Sequence, residues 1–268
     1  MIPKVIHYCW FGRNPKPKLF EKCLKSWKKY CPDYEIVEWN EDNFEINSNL
    51  YTKEAYECKK WAFVTDYVRL YVLYNFGGIY MDTDVEVLKP LDRFLNHEAF
   101  SGFENETSIP TGIMASEKGN DLFKHLLDYY TDRHFIVDGK MDVTTNVVTI
   151  TKLLSQMGFC PNNQYQVIHG FALYPYDYFC PQDFATGSLT VTENSYTIHH
   201  FAGSWLSNDE RKHVKHVRVK AKISKVFGEK MANRYDNLYY ANRKEGYKGI
   251  YKFLLNSIKR KIKPLKKS

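Results

Sequence analysis

Apolar and polar positions follow two rhythms along this chain. Lys4 to Trp10 (KVIHYCW) and Tyr34 to Trp39 (YEIVEW) are short, β-branched and aromatic runs that predict strands. Between them, Leu19 to Lys29 predicts a helix, entered through Phe11-Gly12 and a loop with Pro15 and Pro17. A strand, a helix and a second strand in this order open a parallel α/β sheet, and crossovers of this kind leave the strand C-termini on one edge.

The next segment, Thr52 to Asn75, predicts one long helix, with Trp61, Val64, Val68, Tyr71 and Val72 as an apolar stripe. Asp66 and Arg69 lie three residues apart on a neighbouring face. Gly77-Gly78 ends this helix, because glycine tolerates the left-handed closing conformation, and Ile79 to Met81 starts a buried strand. Val85 to Leu91 leads into a turn at Pro90; Ala99 to Phe103 and Gly112 to Ala115 are further strands, and Asp121 to Tyr130 and Thr145 to Met157 are helices. Pro161, Pro175 and Pro181 break residues 160–195 into irregular structure and small strands, after which Tyr196 to Trp205 (YTIHHFAGSW) is a strand entering a loop. The expected fold is α/β, with a mostly parallel central sheet flanked by helices.

This reading puts Asp82-Thr83-Asp84 at the end of a strand. Alternate strand residues share a face, so both carboxylates can point into a cleft while Thr83 points away. Paired carboxylates suit Mg2+ or Mn2+ held against a diphosphate, although the tripeptide alone is equally compatible with a solvated turn. The 16% aromatic content, including 21 Tyr and 17 Phe, is compatible with a sugar-lined cleft as well as with an ordinary core. Six dispersed cysteines without a CxxC pair carry no signal for structural zinc or a redox motif. The first residues are too short and polar for a secretory h-region and no run of 18 uncharged apolar residues follows, so the expected location is cytoplasmic.

Charge divides the chain. Residues 209–268 hold 19 Lys and Arg against 5 Asp and Glu, a net +14, which leaves −7 of the overall +7 on residues 1–208. The two parts are read as a catalytic domain, 1–208, and a basic helical tail, 209–268. Val214, Val217, Val219, Ile223 and Val226, then Tyr251, Phe253, Leu254, Leu255, Ile258 and Ile262, give the tail apolar faces among lysines. Such helices suit an anionic membrane surface at the inner face of the cell membrane, or packing on the domain with a solvated lysine face. Nucleic acid is disfavoured as a partner, since no zinc finger, helix-turn-helix signal or RNP motif accompanies the basic residues and the body is acidic.

Three stretches in order, IPKVIHYCWFG at 2–12, AFVTDYVRLYVLYNFGGIYMDTDV at 62–85 and HHFAGSW at 199–205, resemble the DxD-containing sugar transferases of glycosyltransferase family 32. That family includes small bacterial polysaccharide enzymes and is related to the glucosylating domains of clostridial toxins. The resemblance implies a GT-A fold and a retaining, metal-dependent transfer of a sugar from a UDP-sugar to an oligosaccharide or lipid-linked glycan. By the same resemblance, Trp10 stacks on the donor base beside Gly12, Asp66 approaches the sugar hydroxyls, Arg69 the sugar and diphosphate, and Tyr80 helps to position the donor. Asp82 contacts ribose, sugar or the metal's water, Asp84 ligates the metal directly, and His200 or Ser204 completes the metal sphere. The Trp205 indole bonds the leaving diphosphate, whereas His199 and His7 are read as structural. A β-phosphate oxygen takes the acceptor's proton, so no protein base is expected. Acceptor contacts are expected from Phe103, Glu104, Asn105 and Glu106, and from Asp142, Thr144, Thr145 and Asn146. A catalytically silent glycan-binding protein and a metal-dependent phosphohydrolase are the competing readings.

Overall fold

A computed structural model describes residues 1–262 of the chain. Two compact units emerge from it: residues 1–183 with 189–205, and residues 184–188 with 206–268.

The first unit is built on a seven-stranded sheet. β1 (Val5–Cys9), α1 (Lys18–Tyr30) and β2 (Glu35–Trp39) form the expected opening unit, followed by α2 (Leu50–Glu57), α3 (Trp61–Phe76), β3 (Gly78–Met81) and β4 (Val85–Val87). Then come β5 (Ala99–Gly102), β6 (Ile113–Ser116), α4 (Asp121–Asp128), the hairpin β7 (Ile136–Val137) and β8 (Lys140–Met141), and α5 (Asn146–Gln156). β9 (Gln166–Ile168), β10 (Phe171–Tyr174), α6 (Tyr176–Phe179) and β11 (Thr197–His199) complete it. The main sheet runs β2-β1-β3-β6-β5-β10-β9, and β11 pairs with β4 in a separate two-stranded ribbon. Strands β2, β1, β3, β5 and β10 point the same way; β6 and the edge strand β9 oppose them.

Both faces of this sheet are buried, as its apolar strands require. Tyr80, Met114, Phe171 and Leu173 join Val64, Val68 and Val72 of α3 in one core, while Ile79, Met81, Ile113, Ala115 and Ala172 face the opposite core with Phe20 and Trp27 of α1. Alternate residues of one strand thus serve two cores.

The expected continuous helix from Thr52 to Asn75 is two helices. Lys59 takes a left-handed φ of 56°, and its neighbour Lys60 bonds back to Ala55 O at 2.8 Å. The break re-aims α3 so that its apolar side lies along the sheet. Asn49 caps α2 through bonds from Tyr51 N at 2.9 Å and Thr52 N at 3.3 Å. At the other end of α3, Gly77 has a φ of 69° and donates to Leu73 O, as a glycine stop should.

The second unit is helical: α7 (Asn208–Phe227), α8 (Glu229–Glu245) and α9 (Tyr247–Ile262). Ser207 and Glu210 form a reciprocal capping box at the start of α7. Gly228 and Gly246, at φ of 79° and 59°, make the two turns. The side chains of Leu254, Ile258 and Ile262, which the tail reading invoked, and residues 263–268 lie outside the described residues. Among the described residues, no helix is long and apolar enough to cross a membrane.

Candidate active site

Parallel pairing of β1 with β2 and β3 brings three strand ends to one edge of the sheet: Trp10, Asn40 and Asp82 each follow directly. β6 runs the other way, so Thr111 and Gly112, just before it, arrive at that same edge. Asp82 N donates to Gly112 O at 2.8 Å there.

Asp82-Thr83-Asp84 forms a turn between β3 and β4, closed by Val85 N to Asp82 O at 3.0 Å. The extended continuation expected from alternation is absent, yet the carboxylates still converge, because the turn is pinned on both sides. From α1, Trp27 Nε1 donates to Val85 O at 2.7 Å and Ser26 Oγ accepts from Val87 N at 2.9 Å. Across the ribbon, His200 N donates to Asp84 O at 3.0 Å and Ala202 N to Asp84 Oδ2 at 2.7 Å.

The histidine that meets the carboxylates is His199. Its Nε2 lies 3.3 Å from Asp84 Oδ1 and 3.9 Å from Asp82 Oδ2, and the three residues offer ligand atoms within 4.8 Å of one another. His200, the expected third ligand, instead places Nε2 at 2.8 Å from Glu86, which also pairs with Lys22 at 2.6 Å. Strand parity explains the exchange. In the β4-β11 register His199 is opposite Val85 and Ile198 is opposite Glu86, so His200 shares the face of Glu86. A side chain on Gly112 would meet the His199 ring at 2.7 Å; glycine leaves the space in which the imidazole sits.

Burial opposes ionisation of Asp84, but the His199 imidazole and the Ala202 N–H outweigh it and bring its pKa down to about 2. Burial likewise disfavours charge on His199, and Asp84 overrides this, raising the imidazole well above its ordinary value. Two carboxylates and an imidazole fit Mg2+ or Mn2+ chemically. Binding a cation there would require Nε2 to give up its proton.

A second, more buried network adjoins the first. Arg69 reaches Asp66 at 3.2 Å and Asp82 at 3.4 Å, donates to Thr111 O, and lies 4.7 Å from the centre of the Tyr80 ring. Tyr80 donates to Asp82 Oδ1 at 2.7 Å. Asp66 is held from the far side by Asn146, whose backbone N–H donates to Oδ2 at 3.2 Å and whose side-chain amide donates to Asp66 O at 2.7 Å. Burial pushes Asp66 up to about 7 despite the opposing pull of Arg69. The i,i+3 pair on the neighbouring helix face is thus a buried linkage between α3, α5 and the DxD turn.

Trp10, Arg13, Asn14, Lys16, Glu38, Asn40 and Glu41 line a cleft of about 380 Å³ beyond β1 and β2. Trp10 is half-buried and its Nε1 donates to Asn14 O at 2.7 Å. Gly12, at a φ of 87°, donates to Glu41 at 2.7 Å. Ser204 and Trp205 follow the turn at Phe201, and Trp205 is 42% exposed. His7 is buried, bonded to Gly77 O at 2.9 Å and to Trp39 Nε1 at 3.0 Å.

The acceptor candidates separate into different jobs. Phe103 is fully buried against Phe159 and belongs to the core. Asn105 closes its own turn, and Asp142 holds Thr144 N at 3.0 Å and Arg133 at 2.5 Å. Glu104 is pushed up by burial and feels the charges of His199 and Asp82. The sequence reading missed His199 as a member of the cluster and Asn146 as the support of Asp66; the first had a signal, an adjacent histidine, but no parity.

Residues 17–101 match the family described as the glycosyltransferase sugar-binding region containing a DXD motif. Inositol phosphoceramide mannosyltransferase 3 of Schizosaccharomyces pombe is 31% identical over 127 residues, 44% of this chain and 34% of that protein. The chain thus spans about a third of the length of this curated relative. Among solved structures, it is similar to the PaToxG glycosyltransferase, with a TM-score of 0.39 and 21% identity over 47% of this chain and 59% of that one. It is also similar to a glycosyltransferase involved in glycosylation of the major capsid of PBCV-1, with a TM-score of 0.44 and 11% identity over 80% of this chain and 99% of that one. The architecture of the first unit is α/β, a central sheet flanked by helices. The family match and the curated relatives both fall on sugar-transferring proteins.

Proposed function

We propose that this chain is a retaining, divalent-metal-dependent transferase of glycosyltransferase family 32 that moves a sugar from a UDP-sugar to a glycan or lipid-linked glycan, in the synthesis of surface polysaccharide. The observation that carries this reading is the convergence of Asp82, Asp84 and His199 beside the buried Asp66–Arg69–Tyr80 network. Asp84, His199 and Asp82 would hold Mg2+ or Mn2+, which supplies positive charge against the donor diphosphate. Arg69, fixed by Asp66, Asp82 and Thr111 O, adds a preorganised cation beside that charge. The carboxylate of Asp66 accepts donor-sugar hydroxyls, and Trp10 offers a flat face to the base in the cleft it lines with Arg13 and Asn40. Ser204 and the Trp205 indole act at the leaving diphosphate, and Tyr80 orients Asp82.

A lipid-borne acceptor is favoured by the similarity to the Schizosaccharomyces pombe inositol phosphoceramide mannosyltransferase. It also accords with exposed Val226, Phe227, Met231, Tyr247 and Tyr251 on the basic helical unit, which suit peripheral contact with an anionic membrane surface. Incubation of the protein with a panel of UDP- and GDP-sugars, with MnCl2 or EDTA, tests the proposal. Metal-dependent release of nucleoside diphosphate from at least one donor is the expected result. Binding of donor without turnover across the panel would instead favour the silent glycan-binding reading, and neither binding nor turnover would overturn both.

A further inference from the structure

The second unit holds a charged cleft of its own. α7 and α8 run antiparallel, so His216 and Lys220 meet Asp236 while Asp209 meets Arg243. Between the helices lies a cleft of about 380 Å³ lined by Asp209, Lys212, Lys215, His216, Tyr239 and Arg243, among others. Its floor is the His216 ring, which stacks on Tyr239 at 3.6 Å and 12° and lies 5.0 Å from Tyr235 at 25°.

We propose that this cleft is a binding site for a phosphate ester. Three cations stand at its walls, and the single lining carboxylate, Asp209, touches two of them only loosely, Lys212 at 3.7 Å and Arg243 at 3.9 Å. Lys215 forms no ion pair with a described residue. The independent observation is His216. Its side chain is 1% exposed, Nε2 is committed to Asp236 at 2.7 Å, and Nδ1 is buried with no hydrogen-bond partner. Asp236 is itself engaged by Lys220 at 2.8 Å, so the carboxylate's second oxygen is spoken for. A buried ring nitrogen without a partner is costly, and a lining residue of a cationic cleft is where an anionic oxygen would satisfy it. With Nε2 engaged by Asp236, Nδ1 is the ring nitrogen left to share a hydrogen bond with a phosphate oxygen or P–OH. Lys212, Lys215 and Arg243 supply the remaining charge-assisted bonds, and the tyrosine rings border whatever the phosphate carries. No bond is made or broken in this binding.

A phospholipid headgroup and a soluble phosphate ester share this chemistry, and the experiment separates them. Full-length protein is titrated calorimetrically with inorganic phosphate and with glycerol phosphate, and is floated with phosphatidylcholine vesicles with and without phosphatidic acid. The variants are Lys215→Ala/Arg243→Ala, which alters only exposed side chains, and His216→Phe, which keeps an aromatic ring and is checked for helical content by circular dichroism. Lys222→Ala/Lys225→Ala is the control, with the same charge removed from exposed positions of α7 outside the cleft. Saturable binding that falls about tenfold in both cleft variants and less than about twofold in the control is expected. Saturation by the soluble esters assigns the site to soluble ligands; binding to phosphatidic acid vesicles alone, with the same variant pattern, assigns it to the headgroup. Absence of binding to every probe, or an equal loss in control and cleft variants, overturns the proposal.

Discussion

Two buried histidines, His199 and His216, each face a carboxylate in this protein, and their surroundings make opposite ligand sites. His199 meets Asp84 at 3.3 Å and Asp82 at 3.9 Å, so acids outnumber the imidazole. His216 shares the single Asp236 with Lys220, within a cleft that has three further cations on its walls. The first group has negative charge to spare and suits a divalent cation; the second has positive charge to spare and suits an anion. The same residue pair thus carries no fixed chemistry, and the uncompensated charge around it decides what can bind.

The largest way to break this contrast is Asp84→Asn, which keeps an oxygen for the Ala202 N–H but removes the charge. Metal-dependent donor turnover should fall about a thousandfold, as expected when a direct metal ligand is lost. Asp236→Asn, measured in the same assay, should stay within about twofold of the parent protein. Comparable losses in the two variants would erase the distinction between the sites.

A finer test sits between neighbours. His199→Gln should weaken Mn2+ binding about 10- to 100-fold by calorimetry, while His200→Gln should change it by less than about threefold. The reverse order would restore His200 as the ligand and would require a shifted β4-β11 register.

The smallest effect concerns Asp66, whose raised pKa of about 7 comes from burial. In the unfolded chain this carboxyl ionises near pH 4, so between pH 6 and 8 only the folded state releases a proton. A group that holds its proton more tightly when folded stabilises the fold at low pH and loses that contribution as pH rises through the folded value. Relative to Asp66→Asn, the parent protein should therefore lose about 1.4 kcal/mol between pH 6 and pH 8 in chemical denaturation. A flat difference across that window would show that Arg69 keeps Asp66 ionised throughout.

The supports of the two sites also differ in how far apart they lie in sequence. His216 and Asp236 are brought together by one helical hairpin, whereas Asp82, His199, Arg69 and Asn146 come from four separate segments. Local elements were largely legible: β1, α1, β2, the glycine stop at Gly77 and the strand before Asp82 follow from apolar spacing and turn chemistry. So were most members of the candidate site, because Trp10, Asp66, Arg69, Tyr80 and the two aspartates lie in recognisable motifs. The break at Lys59 was not legible, since a lysine in a left-handed conformation leaves no trace in the apolar stripe on either side.

What the sequence determined by itself is therefore the menu of elements and the residue types at the sheet edge, because helix and strand periods are set by neighbours along the chain. Tertiary structure decided which side of each element faces the site. His199 and His200 are chemically identical and adjacent; only the pairing of β11 with β4 turns one toward Asp84 and the other toward Glu86. The same holds for Asn146, a helix-start polar residue until the fold seats it against Asp66. Parity and long-range seating depend on contacts more than a hundred residues apart in the first case and eighty in the second, and no local pattern encodes them.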